Sequence, residues 1–131
     1  MKEPLWLSKA LILAVHDRLL ADYGGSPGAR DEGLLESGLS KPQNLFAYGQ
    51  PSIFQLAASS AFGIVKNRPF IDGNKRTSFV AAGAFLDSNG FELTASEVDA
   101  TLKTFGLAAG EVSESEYATW LEASCEKIRR G

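Results

Sequence analysis

Arg68-Pro-Phe-Ile-Asp-Gly-Asn-Lys-Arg76 gathers in nine residues the groups that handle phosphate. Asp72 can hold a cation, and Gly73 lets backbone come close to a ligand. Asn74 offers an amide donor. Lys75 adds a mobile point charge and Arg76 a planar fork that can grip two phosphate oxygens. A carboxylate beside phosphate makes chemical sense when a divalent cation lies between them, and magnesium takes one or two carboxylates plus phosphate oxygens. Where such a stretch opens a helix, free backbone N–H groups and the positive end of the helix dipole face the same ligand. The competing reading is an ordinary turn, with Asp72 capping the next helix and the basic groups solvated. The pattern by itself leaves these two level. It is not a Walker loop, because Gly-x-x-x-x-Gly-Lys-Ser/Thr occurs nowhere in the chain.

Composition narrows the classes. The 131 residues suit one domain, here 1–131, with a core that needs no staples. Apolar residues make up 44% and charged residues 22%, which sets aside disorder and low complexity. The one cysteine, Cys125, can form no disulfide within the chain and has no second thiol to share a metal. It reads as a partly buried helix residue of a protein in the reducing cytoplasm. The net charge of −3 speaks against direct nucleic-acid binding. Yet Lys66, Arg68, Lys75 and Arg76 fall within eleven positions where an even spread would put about one basic residue. One basic patch on an acidic protein suits a small anion better than a polyanion. The apolar N-terminal run is broken by Lys9, so neither a signal peptide nor a membrane span is expected.

The elements that must position the motif are helices. Ser8 is a candidate N-cap, followed by Leu11, Ile12, Val15, Leu19 and Leu20 at helical spacing. Glycines and Pro27 within 23–28 stop that helix. A second, shorter helix is expected from Asp31 through Leu39 to a break at Pro42, with a loop over 43–52. Two central buried helices are expected at about 53–66 and 74–89, apolar nearly all round and joined by the motif. Thr94-x-x-Glu97 and Ser113-x-x-Glu116 match the capping-box pattern and should start two more helices. The last of these should carry an inward stripe of Tyr117, Trp120, Leu121, Ser124 and Ile128. Only 91–93 looks extended. The class is all-α.

The motif resembles that of the Fic/Doc superfamily, H-P-F-x-[D/E]-G-N-[G/K]-R, in the Lys75 form of the Doc branch of death-on-curing toxins. The segments 23–36, 41–48 and 62–67 read like Doc as well, so the resemblance covers about residues 8–121. It implies the compact helical Fic fold. Its nucleotide site would use Gly73, Asn74, Lys75 and Arg76 on phosphate, with Asp72 on Mg2+. AMP-transferring relatives carry a second, more distal arginine where this chain has Phe79. The implied activity is therefore transfer of the ATP γ-phosphate to a threonine of elongation factor Tu, which blocks translation. The implied partner is a Phd-like antitoxin. The alternatives are Fic-type AMP transfer and a non-catalytic module that binds an antitoxin or a nucleotide.

Position 68 departs from the family. The family residue there is the histidine that takes the proton of the target hydroxyl. Arginine side chains keep their own proton at neutral pH and cannot accept another. General-base assistance is worth about 10²–10⁴-fold, so the chain as written should be impaired. A naturally silenced relative and a substitution that lets a toxic chain be produced both fit, and the intact remainder of the motif favours the second. His16, the only histidine, falls on the apolar face of the first helix and reads as a core residue with a satisfied hydrogen bond. Asp31 and Glu36 read as cap and surface of the second helix.

Overall fold

The computed structural model describes residues 2–129. Six helices follow in order: α1 Lys9–Tyr23, α2 Glu32–Tyr48, α3 Ile53–Asn67, α4 Asn74–Ser88, α5 Glu97–Ala109 and α6 Glu114–Ala123. Strands β1 Phe91–Leu93 and β2 Cys125–Lys127 form a small antiparallel ribbon with Leu93 opposite Cys125. The fold is all-α apart from this ribbon.

Local sequence explains five of the six helix starts. Ser8, Asp31, Ser52, Ser96 and Ser113 each accept a backbone N–H of the first turn, and Ser52–Gln55 and Ser113–Glu116 are full capping boxes. The exception is α4, which starts after Gly73 with no side-chain cap. The helix opening onto the motif is thus the one whose first N–H groups are left to a ligand or to solvent.

Helices α3 and α4 form the centre, α3 packing on α2, α4 and α6. Leu56, Ala57, Ala58, Ala61 and Ile64 of α3 and Ala81, Ala82, Phe85 and Leu86 of α4 are completely buried. The alanines and glycines allow close approach. A methyl group on Gly63 would lie 2.5 Å from the carbonyl oxygen of Gly38, so α2 and α3 meet backbone to backbone there. Trp6 stacks on Phe85 and meets Phe46 edge-on, which ties the N-terminal segment to the core.

Four expectations are corrected. Helix α2 runs through Pro42 to Tyr48, where a break and a loop are expected. A helix-interior proline costs about 3 kcal/mol. Here Pro42 is itself buried, and the turns on either side anchor Leu35 and Leu39 upstream and Phe46 downstream in the core. Packing outweighs the lost backbone bond. Second, α5 is capped by Ser96 and not Thr94, whose hydroxyl instead donates to Ser124 O at 3.0 Å. Third, α6 ends at Ala123, so Ser124 is its C-cap and Ile128 lies beyond it, bonded through its N–H to Gly90 O. Its inward face is Tyr117, Ala118, Trp120 and Leu121. Fourth, Cys125 sits on β2. Burial pushes its thiol up to about 11, which disfavours the reactive thiolate. Tyr117 is fixed by a 2.9 Å bond between its hydroxyl and that of Thr104.

Candidate functional site: a cationic cleft at the start of α4

The loop joining the two central helices is held between two left-handed residues. Arg68, the C-cap of α3, has φ 50° and ψ 59°, and it is the one non-glycine residue with positive φ among those described. Gly73, at φ 81°, turns the chain into α4. Between them Pro69 and Phe70 are buried and anchor the loop. Asn74 closes it: its Oδ1 accepts the Phe70 N–H at 3.0 Å and its Nδ2 donates to Phe70 O at 2.9 Å. The Asn74 amide, expected as a phosphate donor, thus spends its oxygen and one hydrogen on the loop, leaving one hydrogen on Nδ2 free.

Two further segments fix the loop from outside. His16 is buried on α1, stacks on Phe70 at 3.7 Å between ring centroids, and has Nε2 2.8 Å from Asp72 O. A carbonyl oxygen can only accept, so Nε2 carries the hydrogen of this contact. His16 is therefore a loop anchor as well as a core residue, and that nitrogen is unavailable as a base. The second segment is the strap before α2. Ala29 bridges Phe70, the N–H groups of Arg30 and Asp31 donate to Pro69 O, and Ile71 N–H donates to Gly28 O.

Asp72 does not cap α4. Its Oδ1 accepts the Gly73 N–H at 2.9 Å and its Oδ2 the Ser26 N–H at 3.3 Å. A methyl group on Gly25 would come within 2.9 Å of Oδ2, so the glycines of the strap are what let backbone close around this carboxylate.

Arg68, Asp72, Gly73, Asn74, Lys75 and Arg76 all line one cleft of about 740 Å³, walled opposite by Leu102, Phe105 and Gly106 of α5. The structure thus brings the whole predicted set together. Among the described residues Arg68, Lys75 and Arg76 have no ion-pair partner, whereas Lys9, Arg18 and Lys41 are paired. Two of the three free cations rest on aromatic faces: Lys75 Nζ lies 5.2 Å from the centroid of Phe105, and the Arg76 guanidinium 4.0 Å from that of Tyr23. Aromatic support orients the charges without neutralising them. Lys66, the fourth basic residue of the patch, does not line the cleft.

The donor set fits a magnesium ion only in company with phosphate. Asp72 is its one carboxylate on the loop, and among the described residues no group of three or more His, Cys, Asp or Glu is placed to hold a metal. That matches an ion carried in by a nucleotide and held by one carboxylate plus phosphate oxygens.

On the far side of Lys75 and Arg76 lies a smaller cleft of about 260 Å³, lined by Leu19, Tyr23, Phe79 and Val80 and by the polar Glu97, Thr101 and Thr104. Phe79, where a second arginine would mark AMP-transferring relatives, supplies no charge there. Sequence reasoning missed the loop roles of Arg30 and of the 24–28 glycines. The glycine run and Arg30 fall in the segment 23–36 that carries the family resemblance, but the glycines read as a helix stop and Arg30 is given no role.

Fold and site together define a small helical domain with a cleft lined by cationic side chains at an uncapped helix start. The chain belongs to the Fic/Doc family: residues 6–86 match the Fic/DOC family. It is 34% identical over 116 residues to protein kinase doc of Escherichia phage P1, spanning 88% of this chain and 91% of that protein. It is 38% identical over 76 residues to toxin Doc of Mycolicibacterium smegmatis, spanning 56% of this chain and 58% of that protein.

Proposed function

We propose that this chain is a Doc-type toxin of a toxin–antitoxin pair, built to move the γ-phosphate of ATP to a threonine hydroxyl of elongation factor Tu and thereby block translation. The observation that carries the reading is the cleft itself. An uncapped helix N-terminus, Asp72 and the unpaired Lys75 and Arg76 converge on one space of nucleotide size. Gly73, Asn74, Lys75 and Arg76 would hold the phosphates, and Asp72 a Mg2+ accompanying them. That ion, when bound, neutralises charge on the phosphate oxygens.

In the transfer, the bond from the γ-phosphorus to the β–γ bridging oxygen breaks, a bond to the threonine oxygen forms, and ADP leaves. The hydroxyl proton needs an acceptor. Position 68 faces the cleft and holds arginine, which cannot take it, so the chain as written binds but turns over about 10²–10⁴-fold more slowly. The name of the phage relative and the uncharged Phe79 both favour phosphate over AMP transfer. The working partner is a Phd-like antitoxin, and the setting is cytoplasmic. No direct nucleic-acid binding is proposed. No helix of the described residues is long and apolar enough to cross a membrane.

The test is incubation of the Arg68→His form with labelled ATP, magnesium and elongation factor Tu, with mass analysis of the product. A phosphate on the target supports the reading. An AMP adduct replaces it with AMP transfer. Nucleotide binding without any modification replaces it with a non-catalytic module.

A further inference from the structure

Arg30 lies 38 positions before Arg68 in sequence, yet it closes the end of α3. Its Nε donates to Arg68 O at 3.0 Å, its Nη2 to Asn67 O at 2.9 Å, and its backbone N–H to Pro69 O at 2.7 Å. Three successive carbonyls around the left-handed turn therefore end on one residue. Those of Asn67 and the C-cap Arg68 lie at the helix C-terminus, which leaves its last carbonyls without internal partners, and a cation there is favoured by the dipole. The turn itself is strained. A non-glycine residue in the left-handed region costs about 1–2 kcal/mol and persists where its surroundings over-determine it. The planar fork can meet two carbonyls at once, which a lysine ammonium cannot do with the same fixed geometry.

The strap carrying Arg30 also reaches the other end of the loop, where Ser26 N–H meets Asp72 Oδ2. One short segment thus touches both the residue in the proton-acceptor position and the carboxylate of the phosphate cradle. We infer that Arg30 is a positioning residue: by clamping Asn67, Arg68 and Pro69 it sets the direction in which the position-68 side chain enters the cleft, and through its strap it sets the distance of that side chain from Asp72. Arg30 is not among the residues that line the cleft. The inference rests on the proposed function for its catalytic consequence and on geometry alone for its structural one.

The test uses the Arg68→His form, whose new imidazole is a reporter, the only other histidine being the buried His16. Into that form Arg30→Gln and, separately, Arg30→Lys are introduced. Three quantities are read: the NMR titration of the new imidazole, the affinity for ATP with magnesium, and the rate of phosphate transfer. Misplacement by about 1 Å can cost about 10²-fold in rate. The expected result for Arg30→Gln is a transfer rate lower by about that factor, a shifted imidazole titration, and unchanged ATP affinity. Arg30→Lys should fall between, and it decides the question if Arg30→Gln does not fold.

An imidazole titration and a transfer rate that both match the parent overturn the inference. So does a loss of ATP affinity in step with the rate, which marks general structural damage. If the Arg68→His parent transfers nothing, the proposed function fails, while the imidazole titration still decides whether Arg30 positions that residue.

Discussion

The two ends of the motif loop use the same backbone device for different purposes. At Gly73 the left-handed turn is made by a glycine and delivers the chain into an uncapped helix. At Arg68 it is made by a residue with a side chain, and an arginine fork from the strap holds it in place. The Gly73 end has no side chain and leaves the first N–H groups of α4 open beside Lys75 and Arg76. The Arg68 end accepts conformational cost so that a side chain can stand in the cleft. On the proposed function, binding and turnover fall to opposite ends of one loop, and only turnover depends on the residue at position 68.

That contrast can be broken or sharpened by substitution. The largest effect expected is from Arg68→His, which should raise phosphate transfer by about 10²–10⁴-fold. Cells induced to make that form should stop growing while cells making the present chain continue, and equal growth counts against the contrast. Next is Arg76→Ala. Removing a charge-assisted contact worth about 1.5–3 kcal/mol should weaken ATP binding by roughly 10–10²-fold, measured by calorimetry. Its thermal unfolding should change little, since the side chain is exposed and rests on the Tyr23 ring.

Smaller effects separate the two turns by stability. Gly73→Ala should destabilise by about 1–2 kcal/mol, because a Cβ is disfavoured in the left-handed region. The Cβ itself would find room, with His16 atoms at 3.6 Å, so the cost is conformational and not a clash. The smallest change expected is from Arg68→Gly, a gain of about 0.5–1 kcal/mol as the strain at φ 50° is relieved. Denaturant unfolding measures both. A loss of stability on Arg68→Gly would mean that the side chain, and not the Arg30 clamp, holds that turn.

Much of this was legible from sequence, for physical reasons that differ by region. The central helices are apolar nearly all round, and no other element type accommodates such runs of alanine and phenylalanine at helical spacing. The motif residues are local in sequence, so their gathering in one cleft follows from one turn. What escaped depends on distant partners. Pro42 is a helix breaker by local rules and a core residue in fact. Thr94 and Ser96 both could cap α5, and the β1–β2 ribbon draws Thr94 away to Ser124. The reach of Arg30 and His16 to the loop spans 38 and 56 residues, and no periodicity encodes it.

The most direct measurement is a paired experiment on the present chain and its Arg68→His form, each mixed with labelled ATP, magnesium and elongation factor Tu. Nucleotide binding and transfer are read in the same samples. The account predicts that both forms bind ATP and that Arg68→His labels the target about 10²–10⁴-fold faster. Transfer at equal rates by both forms, or failure of the present chain to bind ATP, would contradict it.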